Sequence, residues 1–428
     1  MVAGSGIEPS ATVGRWVEVR TQSARLHGPA RLLTGLCVVL CVACTRTKTA
    51  SDGDAAGTDD VTCVPVDRPP TPPQPDPWVQ VDGSQSGTCV RSRGGRLFCW
   101  GSSLNEQTAR RSGTPASPVP FEVVLPRAAI RLALSGGGGC VETHGGAPIC
   151  WGQRLRTLPH RAINTTPLFE LDDLAGAVTF DCGDVTACAL TGSSQIGCWT
   201  TPQDDARRVH HQSAMVRSAA LSSLRVGFDV GCALEQSGAL RCWSVDRRPV
   251  ADGLDTELHP TLVTLPGPVN AVGVGGLNAA IVRGEVYQFS MPLNRERGAP
   301  SSEPVVGYRV DGIPPMLDLS AGLDFLCGRT TSGEVYCWGS SQYGELGQYR
   351  ADRSAVRVPL PREAHAIGSG TFHSCAILVD NSVWCWGLNA TNQLGASDTN
   401  TIGPVRVEHL ESLRQSSSAR MEESTPCV

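Results

Sequence analysis

The stretch Cys232-Ala-Leu-Glu-Gln-Ser-Gly238-Ala-Leu-Arg-Cys242-Trp243 decides how the chain is to be read. Two cysteines stand ten residues apart and a tryptophan follows the second. The arrangement returns as Cys89, Cys99, Trp100; Cys140, Cys150, Trp151; Cys188, Cys198, Trp199; Cys327, Cys337, Trp338; and Cys375, Cys385, Trp386. Successive first cysteines lie 51, 48, 44, 95 and 48 residues apart, so the long gap holds two periods. A seventh unit stands in that gap: Ala279-Ala-Ile-Val-Arg-Gly-Glu-Val-Tyr-Gln288-Phe289, with both cysteines missing and Phe in the place of Trp. Joint loss of both is what bonded partners would show. A fixed period near 48 residues marks a repeat architecture.

The ten-residue spacing predicts a β-hairpin. A three-residue loop, Gln236-Ser237-Gly238, puts glycine at the left-handed position such loops need. Counting outward, Cys232 then falls opposite Cys242, close enough for a disulfide. Gly95, Gly146, Ser194, Gly333 and Asn381 hold the equivalent position; Ser194 is the misfit, with Gly192 nearby. Six local bonds follow: Cys89–Cys99, Cys140–Cys150, Cys188–Cys198, Cys232–Cys242, Cys327–Cys337 and Cys375–Cys385. Each closes a short loop and contributes about 2–3 kcal/mol on chain-entropy grounds. Zinc is the poorer reading, because its ligands are usually two to four residues apart. The tryptophan after each second cysteine points to the other face of its strand, to pack between neighbouring sheets.

The chain has 428 residues, 18% of them charged, and a net charge of −5. That balance argues against a surface built to neutralise nucleic-acid phosphates. Residues 1–31 carry Arg15, Arg20, Arg25 and Arg31, and an apolar run from Leu32 to Ala43 follows. The run is too short to span a bilayer but suits a secretory signal. Its end, Leu40-Cys41-Val42-Ala43-Cys44, resembles a bacterial lipoprotein signal, which implies lipidation at Cys44 and anchoring to an outer membrane. Without residues 1–44, which hold those four Arg and two Glu, the charge is −7. Residues 45–77, small and acidic and then proline-rich, read as an extended tether.

Residues 78–413 give seven units of 48, room for four short strands each. The sequence thus predicts an all-β chain, a seven-bladed β-propeller followed by a tail at 414–428. Ile367-Gly-Ser-Gly-Thr-Phe-His373-Ser-Cys375-Ala-Ile377, Val383-Trp-Cys-Trp386-Gly387-Leu-Asn389-Ala-Thr-Asn-Gln393-Leu394-Gly395 and Pro404-Val405 resemble the regulator of chromosome condensation repeat. So do Ser320-Ala-Gly322 and Tyr336-Cys-Trp-Gly339-Ser-Ser-Gln-Tyr343-Gly344-Glu-Leu346-Gly347. Gly101 and Gly152 keep the Trp-Gly step, whereas Thr200 and Ser244 replace it. The resemblance implies seven blades, and by analogy brings guanine-nucleotide exchange into view. The cysteines make the chain more similar to exported bacterial members.

No Walker, Gly-x-Ser-x-Gly or His-Glu-x-x-His motif is present. Gly136 to Gly139 is a turn before a strand, His210-His211 reads as a solvated loop, and His373 as a hydrogen-bonding residue between strands. Asp172-Asp173 and Asp204-Asp205 lie in loops, and Asn164 and Asn389 head sequons. No catalytic, metal or cofactor residues are assigned. The expectation is a membrane-anchored extracytoplasmic binding module whose loops meet a protein or a cell-surface glycan. The alternatives are an extracellular polymer-degrading enzyme and nucleotide exchange. Cys63, Cys182 and Cys427 remain; Cys63–Cys427 would fasten the two chain ends, leaving Cys182 a buried thiol.

Overall fold

The computed structural model describes strands at 42–46 and 61–65 and residues 76–414, apart from positions 145, 154, 156–160, 164–166, 172–176, 184–185, 192–194, 201–209, 216–220, 246–255, 292–303 and 399–401. Outside the described residues lie Gly192, Ser194, Asn164, Asp172, Asp173, Asp204, Asp205 and Cys427, with the side chains of Cys44, Cys63, His210 and His211. The chain divides into two units, Met1–Pro72 and Pro73–Val428. In the first, Val42–Arg46 pairs antiparallel with Val61–Pro65, and the register sets Cys44 opposite Cys63.

The second unit is a seven-bladed propeller of four-stranded antiparallel sheets. Blade 1 comprises Trp78–Gly83, Gly87–Ser92, Leu97–Gly101 and Ser117–Val123, from the axis outward. Blades 2, 3 and 4 begin at Ala129–Ser135, Ala177–Cys182 and Leu221–Val226, and each gains a fifth short strand. Blades 5, 6 and 7 begin at Ala271–Val274, Met316–Ala321 and Ala364–Ser369. Because the strands run up and down, the loops after the first and third strands share one face. Hairpin turns and the links to the next blade share the other.

The six ten-residue cysteine pairs are bonded, each across directly opposed residues with Cα atoms 4.0–4.1 Å apart. Gly95, Gly238 and Gly333 adopt φ of +82°, +84° and +85°, and Asn381 adopts +63°. Gly146 does not share the left-handed conformation of these residues, so the turn of blade 2 departs from the common loop. Blade 5 departs too. Its hairpin turns on two residues, Arg283 and Gly284, both at positive φ, the pattern of a tight type I′ turn. Ala279 therefore faces Gln288 at a spacing of nine.

Glycine at these turns has a second cause. The carbonyls of Gly95, Gly238, Gly284 and Gly333 accept the backbone N–H of Ala129, Val269, Met316 and Ala364, at the start of the following blade, at 2.8–2.9 Å. A Cβ on Gly95 would lie 2.7 Å from Ala129 N. Asn381 sits at the seam where blade 7 meets blade 1, and among the described residues it makes no such bond. There the requirement for glycine relaxes.

The seam has no shared strand among the described residues, since blades 7 and 1 are each built from their own stretch of chain. Blades 3 and 4, by contrast, take their fifth strands, Thr256–Glu257 and Val305–Val306, from the chain of the following blade. It closes on a core cluster of Trp78, Val81, Phe98 and Trp100 with Ile377, Val383, Leu394, Val407 and Leu410, the last from a helical turn at 410–414. Thr88 Oγ1 donates to Gln393 O at 2.7 Å, so the 2.7 Å contact with His373 Nε2 makes that nitrogen the donor. His373 thus bonds between two strands, as its sequence position suggests, and those strands belong to different blades. Its Nδ1 lone pair is buried without a partner.

Burial holds the His373 imidazole down at about 4, against about 6.5 in an unfolded chain. The fold favours the neutral ring. The stability this supports is complete above about 6.5 and is lost as pH falls through 4, a change of about 3 kcal/mol. Melting temperature should therefore drop steeply across that window. His373→Gln, which keeps a donor but cannot titrate, should flatten the slope; an unchanged slope would show that other groups set it.

Candidate functional site

The tryptophans after the second cysteines lie at the junctions between blades. Trp100, Trp151, Trp243 and Trp386 are fully buried, and Trp338 nearly so. Trp151 Nε1 donates to Gln107 O at 3.0 Å, Trp386 Nε1 to Glu345 O at 2.9 Å and Trp100 Nε1 to Gln393 O at 2.9 Å. Each acceptor belongs to the outer loop of the preceding blade. Gln107, Glu345 and Gln393 all stand seven residues after their own blade's tryptophan. The residue two further on, Ala109, Gly347 or Gly395, has positive φ. A Cβ on Gly395 would lie 3.1 Å from the Trp100 indole nitrogen. Gln107 also donates to Gly136 O and accepts from Ser86 N. Trp243 and Trp338 follow blades that lack the motif, and their buried indole nitrogens have no partner.

These locks hold the outer loops of blades 6, 7 and 1 side by side on one face. Tyr343 packs edge-on against Phe372, with centroids 5.4 Å apart. Thr391 Oγ1 donates to Ser86 O at 3.1 Å, and Gln153 N to Asn105 O at 2.9 Å. The arc exposes Leu104 at 62%, Tyr349 at 67% and Ile402 at 57%. Large apolar side chains fixed on a rigid backbone are what a protein-contacting surface needs. Asn389, the head of a sequon, is buried instead and bonds the carbonyls of Ala396 and Asp398.

The axis of the ring holds a cavity of about 200 Å³. Its charged lining comes from the inner strands of blades 1 to 4: Asp82, Arg131, Asp181 and Arg225. Asp82 accepts from Leu134 N at 2.9 Å, Asp181 from Val226 N at 2.8 Å, and Gln80 brackets the backbone of Leu132, so each ties its blade to the next. Arg131 bonds Thr179 and pairs with Asp181 at 3.4 Å. Burial pushes the Asp82 carboxyl up to about 7 and the Arg225 guanidinium down. Cys182, a buried free thiol, is pushed up by the same cause. Sequence reasoning passed over all four charged residues. The signal existed, because Asp82, Asp181 and Arg225 each stand seven before the first cysteine of their repeat. Among the described residues, no group of three His, Cys, Asp or Glu is placed to hold a metal.

The family model for the regulator of chromosome condensation (RCC1) repeat matches residues 317–345 and 364–393, and a second model of that repeat matches 332–377. These residues form blade 6 and most of blade 7. Prp20p from Saccharomyces cerevisiae superposes with a TM-score of 0.56 at 16% identity, over 79% of this chain and 88% of that one. The chain is a propeller of the RCC1 type. Protein pim1 of Schizosaccharomyces pombe is 35% identical over 88 residues, 19% of this chain and 16% of its own length. The ultraviolet-B receptor UVR8 of Arabidopsis thaliana is 26% identical over 189 residues, 42% of this chain and 41% of the receptor. The chain thus spans about two fifths or less of these curated relatives. In an RCC1-type repeat the Gln-Leu-Gly step has a structural meaning here: it supplies the carbonyl that the next tryptophan needs.

Trp386→Phe removes a satisfied indole and should cost about 1–3 kcal/mol more than Trp338→Phe, which removes an orphaned one. Chemical denaturation of the two variants measures the difference. Equal losses would show that the hydrogen bond adds nothing to packing.

Proposed function

We propose that this propeller is a protein-binding scaffold held outside the cytoplasm, and that it binds through the loop face of blades 6, 7 and 1. The observation that carries this reading is the exposed Leu104, Tyr349 and Ile402 on loops locked by the Trp100, Trp151 and Trp386 indoles. Prp20p has binding properties toward Gsp1p and histones; we carry over only the habit of binding proteins. Six disulfides favour an oxidising compartment, which counts against a cytosolic GTPase as partner. Among the described residues no helix is long and apolar enough to cross a membrane. In our reading the attachment is a lipid on Cys44, the partner a protein in preference to a glycan, and the role binding and not catalysis.

Two experiments test this. Tyr349→Ala with Ile402→Ala should weaken partner capture from envelope extracts about tenfold or more, with little change in melting temperature. Val124→Ala with Val379→Ala, exposed on the opposite face, should leave capture intact; the reverse pattern would move the site to that face. Metabolic labelling with an alkyne fatty acid should mark the wild type and not Cys44→Ala. Label retained by the variant would remove the lipid anchor from the reading.

A further inference from the structure

The axial cavity has a polar imbalance that the fold does not use up. Asp82 is spent on Gly83 N and Leu134 N, and Asp181 on Val226 N and Arg131. Arg225 is different. Among the described residues its side chain makes one hydrogen bond, from Nη1 to Leu224 O, the carbonyl of its own neighbour, at 3.0 Å. A guanidinium has five N–H donors in a planar fork, and Arg225 lines the cavity with most of that capacity unused among the described residues. Asp82, Arg131, Asp181 and Cys182 are the other titratable groups there.

The remaining wall leaves room. Blades 5, 6 and 7 place Gly273, Ser320 and Gly368 at the register position that holds Asp82, Asp181 and Arg225 in the charged half, opposite the first cysteine or its equivalent. The lining from these three blades carries no charge. One half of the cavity is therefore charged and the other is small and neutral. A volume of about 200 Å³ accepts several waters or one organic molecule of up to about ten non-hydrogen atoms.

We propose that the axial cavity is a binding site for a small organic carboxylate, held by the Arg225 fork and seated against Gly273, Ser320 and Gly368. The planar fork matches a carboxylate through two parallel N–H···O bonds. Asp82 supports the same choice: with its carboxyl pushed up to about 7, it is neutral below that pH and does not repel an anion. Above 7 it becomes a like charge. Affinity should therefore fall as pH rises, because binding favours the protonated acid. None of Leu104, Tyr349 and Ile402 lines this cavity, so the site stands or falls apart from the proposed protein-binding surface.

Titration calorimetry on the purified full chain tests the site with acetate, pyruvate and succinate as carboxylates and sulfate as a tetrahedral control. The wild type should bind at least one carboxylate more tightly than sulfate, and about tenfold more weakly at pH 8 than at pH 6. Arg225→Gln should abolish binding. Ser320→Leu, which fills the neutral half and leaves every charge in place, should abolish it too, and circular dichroism with melting checks that both variants fold. No carboxylate binding at pH 6 up to about 10 mM, where affinity is only a few kcal/mol, overturns the proposal. So does binding that survives Ser320→Leu, or sulfate bound as tightly as the best carboxylate.

Discussion

Among the described residues the inner strands of neighbouring blades share no hydrogen-bonded ladder, and this constraint governs the residues the chain repeats. The short outer strands Thr256–Glu257 and Val305–Val306, from the chain of blades 4 and 5, do pair into blades 3 and 4. Side chains and loop carbonyls must make the junctions that strand pairing makes within a sheet. The molecule uses three devices at three radii. Turn glycines accept from the next blade on one face, and indoles donate to the preceding blade on the other. Near the axis, Gln80, Asp82 and Asp181 bridge inner strands that cannot pair. The apolar core follows the same logic: its clusters join residues of successive blades, as Leu97, Val123 and Trp151 do.

Within a blade the problem is the reverse, because an isolated hairpin is marginal in water. Aromatic residues make only 5% of the chain, so hairpins have few large cross-strand partners. A disulfide between opposed residues reduces the freedom of the unfolded loop instead. Blade 5 shows that the staple is replaceable. There a two-residue turn with both φ values positive fixes the register, and Ala279, Ala280 and Ile281 are all buried at their positions.

The period, the hairpins and the blade number were legible because a ten-residue spacing in a β-hairpin allows one register. The burial of the tryptophans was legible as well, since alternation sends them to the face opposite the cysteines. Their acceptors were not. Gln107 sits in Asn105-Glu-Gln-Thr-Ala109, where Thr and Ala stand in place of Leu and Gly, so composition hides a loop that geometry repeats. The axial charges were missed for another reason. One position carries Asp82, Ala133, Asp181, Arg225, Gly273, Ser320 and Gly368 in successive blades, and a site assembled from one residue per repeat leaves no local motif. Gly146 misled in the opposite direction, because glycine permits a left-handed turn without requiring one.

The unequal distribution of locks around the ring has a physical reason. Successive blades are linked by backbone, so a weak side-chain junction between them is tolerated: Trp243 and Trp338 stay buried with unpartnered indoles. No backbone crosses from blade 7 to blade 1. Among the described residues that junction is held by side-chain and loop contacts, and several bonds cross it: Trp100 and Thr88 to Gln393, His373 to Thr88, Thr391 to Ser86 and Thr371 to Ser84. Glycine contact tightens the same junction, since a Cβ on Gly83 would lie 2.5 Å from Gly370 N. The loop face over blades 6, 7 and 1 acquires its rigidity as a consequence.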